Sequence, residues 1–172
     1  LPARGATAVD VRLHFAERAS GNNTVGKRLF DIVASSGLLV LFAPLLIGTA
    51  IAIKLDSKGP VLFRQRRNGF DGRPFTILKF RSMHVLEDGD VIMQARPNDA
   101  RLTGIGATLR RRSIDELPQL LNVLRGDMSL VGPRPALPSE VAGYDGREMG
   151  RLAATPGLSG LWQVSGRSDL GW

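Results

Sequence analysis

Arg110–Pro135 reads RRRSIDELPQLLNVLRGDMSLVGPRP, and the arrangement of the rest of the chain turns on it. Leu117, Leu120, Leu121 and Leu124 follow the i, i+3, i+4, i+7 spacing of a helix with one buried face. Two N-terminal boundaries compete. Ser113, three residues before Glu116, fits a capping box. Pro118, tolerated in a first turn and costly later, argues instead for Asp115 as the N-cap. Either boundary puts the adjacent acids Asp115 and Glu116 at the positive end of a helix, which stabilises negative charge and binds phosphate. Arg110, Arg111 and Arg112 come just before them. Adjacent acids beside arginines point to a nucleophile and its partner acting on a phosphorylated substrate, with guanidiniums screening the approach of one anion to another. A plain capped helix after a solvated basic turn accounts for the same residues without chemistry. Past Gly126-Asp127, where the helix ends, Gly132-Pro133-Arg134-Pro135 holds an arginine between two prolines on stiff, extended backbone. That suits phosphate or nucleotide recognition, or simply a surface turn.

Upstream, Ala100–Leu109 leads into the arginines, and its Gly104-Ile105-Gly106 lacks the third glycine of a dinucleotide fingerprint. His84–Asp99 is polar and acidic and reads as a surface loop. Its spacing does not support a magnesium site. Gly59-Pro60 introduces two β-rich runs around Asn68-Gly69 and Asp71-Gly72, the pattern of a hairpin with a loop longer than two residues. In the second run Thr76, Leu78 and Phe80 share one face, and Lys79 and Arg81 the other. On pattern alone, the latter is a basic solvent face.

Ile32–Ile53 contains no charged residue, as expected for a membrane helix. Pro44 divides it into two arms, each about half of a full span. Basic residues flank both sides, Lys27 and Arg28 before and Lys54 and Lys58 after, where a single span should be biased to one side. Symmetric flanks fit a re-entrant helix–break–helix that dips into one leaflet. Residues 1–24 read as a linker or the tail of a preceding region. Downstream, Ser139–Ala154 reads as a short helix interrupted by Gly143 and Gly146, Thr155-Pro156-Gly157 as a turn, and Trp162 as a packing residue. A chain that starts at Leu1 and stops at Trp172 is expected to be a fragment, truncated at its C-terminus.

The 172 residues suffice for a real core, and the absence of cysteine excludes disulfides and thiolate metal sites. A formal charge of +7 favours anionic partners: nucleic acid, anionic lipid or a phosphorylated substrate. Charge alone supports a non-catalytic basic module binding membrane or nucleic acid. No nucleic-acid motif is present, and the long apolar run counts against a soluble nucleic-acid binder.

Asp115–Pro135, KFRSM at Lys79–Met83 and GLWQVSGRSDL at Gly160–Leu170 together resemble the bacterial sugar transferase family, over about Lys27 to Trp172. These are polyprenyl-phosphate sugar-1-phosphate transferases that begin exopolysaccharide and glycoconjugate assembly. The resemblance implies a monotopic α+β protein. Its re-entrant membrane helix would span residues 25–58 with the break at Pro44. A small catalytic domain with a β-hairpin and several helices, residues 59–172, would lie on the cytoplasmic face of the bacterial inner membrane. It implies transfer of a sugar-1-phosphate from a UDP-sugar to polyprenyl (undecaprenyl) phosphate with release of UMP, through a covalent aspartyl phosphosugar. Asp115 matches the family's nucleophile and Glu116 its partner, both also named as ligands of a Mg2+ cofactor. Arg110, Arg134, Lys79, Arg81, Pro133 and Pro135 match the phosphate- and nucleotide-binding wall. The membrane is a partner on this reading; nucleic acid is not. The chain departs from the family at Arg112, where a small hydroxyl residue commonly precedes Ser113.

Overall fold

The computed structural model describes residues 25–84, 99–145 and 148–160. The readings made on residues 1–24, on the acidic loop between His84 and Asp99, at Gly146 and around Trp162 lie outside them. Helix α1, Val25–Leu41, and helix α2, Ala43–Asp56, meet at Phe42 with a bend of 60°. Pro44 causes the break but sits two residues past it. With no N–H, Pro44 cannot bond the Val40 carbonyl, and its ring would clash there. The ladder therefore stops with Phe42 N–H donating to the Leu38 carbonyl at 2.9 Å, and Pro44 falls in the first turn of α2, where it costs nothing.

The burial of this helix pair is inverted. Its buried residues are Asp31 and Ser35 in α1 and Thr49 and Ile53 in α2. Leu29, Phe30, Val33, Val40, Leu41, Leu45, Ile47, Ile51 and Leu55 are exposed. A helix on a soluble core shows the opposite pattern.

Asp31 faces inward because, with Arg28 and Lys27, it ties α1 to the rest of the fold. Arg28 donates to the Val123 and Leu124 carbonyls at 2.6 and 2.8 Å. Asp31 accepts from Ser129 Oγ at 2.8 Å and from Leu130 N–H at 3.2 Å, and pairs with Lys27 at 3.2 Å.

Strands β1, Leu62–Asn68, and β2, Pro74–Phe80, form the expected antiparallel hairpin, in register from Leu62↔Phe80 to Asn68↔Pro74. The connection Gly69–Arg73 contains a 3-10 turn in which Asp71 and Gly72 adopt positive φ. Opposed residues share a face, so Phe63, Gln65 and Arg67 lie with Lys79, Ile77 and Phe75. The hairpin separates two small cores. Phe80 packs with Ile53 of α2 and Leu109, and Ile77 packs with Val123 and Met128.

Helix α3 covers Gly106–Arg111, and a 3-10 helix over Ile114–Gln119 runs directly into α4, Leu120–Arg125. Gly126, at φ 95°, ends α4. Strand β3, Ser129–Val131, pairs in parallel with β4, Gly157–Ser159. Between them lie α5, Pro138–Ala142, and a 3-10 helix, Glu148–Ala153, in place of one interrupted helix. The expected caps at Ser113 and Asp115 both fail. Ser113 is left-handed at φ 57° and makes no side-chain cap bond. Pro118 has no N–H for the Ile114 carbonyl, so the segment carrying the acids closes with 3-10 bonds and becomes α-helical only after it.

Candidate active site

Asp115 and Glu116 occupy the first turn of the 3-10 helix. The left-handed Ser113 turns the chain sharply between the arginines and the acids, a conformation rare outside glycine and a form of strain that clusters at functional sites. Ile114 packs beside Phe80 and Leu109, and Pro118, Gln119 and Leu120 are buried, so the acids sit on a rigid base. Asp115 is only 8% exposed. Burial pushes its carboxyl up to about 6; Glu116 pushes the same way, while Lys79 and Arg110 pull it back. Lys79 reaches across from β2 and donates to Glu116 Oε1 at 2.9 Å. Arg110, exposed in the last turn of α3, adds positive charge near Asp115. The helix end and arginines would have lowered the Asp115 carboxyl. Burial wins, and the group still ionises below neutrality.

The Gly132–Pro135 segment is latched along its length. Gly132 N–H donates to the Ser159 carbonyl at 3.0 Å, and Gly157 N–H to the Pro133 carbonyl at 2.8 Å. Backbones approach so closely here that a Cβ on Gly157 would overlap the Gly132 nitrogen. On the far side of Arg134, Asn68 N–H donates to the Ala136 carbonyl at 2.8 Å, and Arg67 to the Pro135 carbonyl at 3.2 Å. Pro133 and Pro135 thus serve through their carbonyls, as anchor points around Arg134. Arg67 is buried against Gln65 Oε1, at 2.7 and 3.1 Å. Burial, with the nearby charge of Arg134, brings its guanidinium down to about 10, and the carboxylates of Glu140 and Glu116 oppose that fall. Arg67 thus feels both Arg134 of the latch and Glu116 of the acid pair. Sequence reading passed over Arg67 and Gln65. The available signal was polar residues alternating with Phe63 on one face of a strand.

The model of the bacterial sugar transferase family matches residues 22–172. The chain belongs to that family. A Caulobacter vibrioides protein named UDP-glucose:undecaprenyl-phosphate glucose-1-phosphate transferase is 57% identical over 143 residues, 81% of this chain and 54% of the relative. A Klebsiella pneumoniae protein of the same name is 48% identical over 155 residues, 88% of this chain and 33% of the relative. The exopolysaccharide production protein ExoY of Rhizobium meliloti is 41% identical over 165 residues, covering 86% and 72%. The chain therefore spans about half of the first relative and a third of the second.

Within this member of the family, the structure brings Asp115, Glu116, Lys79 and Arg110 together and holds Arg134 on the latch. Arg81 is a correction. It is 2% exposed and donates to the Pro60 carbonyl at 2.7 Å, and to Ser57 Oγ and the Ser57 carbonyl at 2.8 Å each. Strand β2 ends at Phe80, so the alternation that placed Arg81 beside Lys79 no longer applies, and the side chain instead buckles the end of α2 to the hairpin. Among the described residues no group of three or more His, Asp or Glu forms a metal cluster. Mg2+ is commonly held by one or two carboxylates plus substrate phosphate oxygens and water, and the Asp115–Glu116 pair fits that smaller donor set.

Proposed function

We propose that this chain transfers a sugar-1-phosphate from a UDP-sugar to polyprenyl (undecaprenyl) phosphate at a membrane surface. The observation that carries the reading is a buried carboxylate, Asp115, held beside Glu116, Lys79 and Arg110 in a family of sugar transferases. At neutral pH a carboxyl poised near 6 is mostly ionised and poorly solvated, as a nucleophile requires. An Asp115 oxygen attacks the β-phosphorus of the UDP-sugar, forming an acyl phosphate bond. The diphosphate P–O bond breaks, and UMP leaves. A phosphate oxygen of the lipid then attacks the same phosphorus and restores the Asp115 carboxylate. Arg110 and Arg134 bind phosphate oxygens, and Lys79 holds Glu116 in place. Mg2+ bound at Asp115 and Glu116 would neutralise diphosphate charge.

Membrane placement rests on the inverted burial of α1 and α2. No single described helix is long and apolar enough to cross a membrane. The arms of 17 and 14 residues are about 25 and 21 Å long at 1.5 Å per residue. With a 60° bend, the apex lies about 12 Å from the line joining their ends, short of the ~15 Å to a bilayer midplane. With both ends at one surface the pair dips into a single leaflet, and the basic residues flanking both ends support that arrangement, with the catalytic domain on the cytoplasmic side.

The names of two relatives make UDP-glucose the first donor to test. Intact-protein mass is measured after mixing the chain with UDP-glucose and Mg2+, without lipid acceptor. The expected result is a gain of one hexose phosphate, lost in Asp115→Asn and discharged by added undecaprenyl phosphate. An adduct that survives in Asp115→Asn places the nucleophile elsewhere. UMP release that requires lipid from the outset, with no adduct, favours direct transfer.

A further inference from the structure

Asn122 is wholly buried in α4, and its carboxamide is bonded to another element. Its Oδ1 accepts from Leu78 N–H at 3.0 Å, and its Nδ2 donates to the Thr76 carbonyl at 2.7 Å. Nδ2 also donates to Asp127 Oδ2 at 3.2 Å. The orientation of the amide is fixed by its partners, because a main-chain N–H can only donate and a carbonyl can only accept. Among the described residues, strand β2 pairs with β1 alone. The N–H of residue 78 and the carbonyl of residue 76 lie on the edge that β1 leaves open, where a third strand would bond them. One side chain makes both of those bonds.

We propose that Asn122 is a positioning residue for the acid pair: its carboxamide stands in for a third strand on β2 and so sets Lys79 against Glu116. Lys79 follows Leu78 directly, and α4 follows the 3-10 helix that carries Asp115 and Glu116 without a break. The strand with the cation and the helix with the anions are therefore joined at two main-chain atoms, one residue from the ion pair. The catalytic meaning of this joint rests on the function proposed above; the joint itself does not.

Asn122→Asp keeps the shape and the acceptor but removes the donor to Thr76 and sets a carboxylate against Asp127. Asn122→Ala removes both strand bonds without adding charge. With UDP-glucose and undecaprenyl phosphate, kcat is expected to fall about 10- to 100-fold in either variant, with KM for UDP-glucose little changed. In a Lys79→Met background the same substitution should cost less than about twofold, because both changes act through one contact. Losses that simply multiply overturn the proposal.

One measurement needs no turnover. In the wild-type chain, the Leu78 amide should exchange with solvent as slowly as its neighbours bonded to β1, because Asn122 Oδ1 holds it. A fast-exchanging Leu78 amide overturns the proposal even if the variants fold poorly. A wild-type chain that is inactive with every UDP-sugar, yet shows the protected amide, refutes the reaction and leaves the joint between α4 and β2 standing.

Discussion

Replacing Asp115 with Asn should abolish chemistry and stabilise the protein above pH 6. The carboxyl ionises at 3.8 in its ordinary state and at about 6 in the fold, where it is buried. The folded state therefore holds the proton more tightly than the unfolded chain. Below about pH 4 both states are protonated, and the site costs nothing. As pH rises from about 4 to about 6 the unfolded chain ionises first and stability falls, and the loss is complete above about 6. The difference between 3.8 and about 6 corresponds to about 3 kcal/mol. The Asp115→Asn substitution keeps the size and removes the buried charge, so the variant should recover up to that amount. For a chain of this size, it corresponds to a melting temperature up to about 10 °C higher at pH 7.5. The assay is thermal unfolding of both proteins in detergent or nanodiscs at pH 4 and 7.5. An Asp115→Asn variant that melts at or below wild type at pH 7.5, or gains as much at pH 4, would refute the burial argument. Wild-type turnover should fall on the acid side with a midpoint near 6, since the nucleophile must be ionised.

Arg134→Lys keeps the charge but loses the planar fork; we expect a large loss of turnover with an unchanged melting temperature, and near-normal turnover would make Arg134 a generic charge. Gly157→Ala drives a methyl into the Gly132 nitrogen, which should cost about 1–3 kcal/mol of stability and displace the arginine latch, seen as weaker UDP-sugar binding by calorimetry. Cysteines placed at Lys27 and Lys58 should label from the same side of a sealed vesicle; labelling from opposite sides would establish a span.

The parts of the fold legible in the sequence are those set by local chemistry. Asp71-Gly72 marks the hairpin connection because positive φ, which both residues adopt, is cheap there. Pro44 breaks a helix by lacking one hydrogen. The boundary at Ser113 was not legible, since capping signals assume that the α-helix begins at its cap, and Pro118 delays it by a turn. Arg81 was misread for a related reason: alternation says which face a strand residue takes, not where the strand stops. Burial of Asp115 was hidden for a third reason. Charge neighbours can be read from the chain, but desolvation depends on the 3-10 helix closing against β2 and α3. The helix end and the arginines favour the ionised form, but at a site 8% exposed removal from water outweighs them and raises the carboxyl to about 6, where it is still ionised at neutral pH.

Arg28, Asp31 and Arg81 share one role. Arg28 holds the last carbonyls of α4, and Asp31 holds the start of β3, so α1 is fixed to the acid-bearing helix and to the strand leading into the arginine latch. Arg81 fixes the end of α2 to β2, which presents Lys79. Each arm of the bent pair is thus joined to one side of the Lys79–Glu116 contact. Where the two arms lie in a leaflet, the acid pair has no independent height above it: the depth of the apolar faces determines how far Asp115 stands from a lipid phosphate. On the proposed membrane placement, a helix pair whose buried Asp31 serves such ties, and whose large apolar residues point outward, is a mount for the site as well as an anchor, which is why a charge lies on its inner face where packing alone would favour leucine.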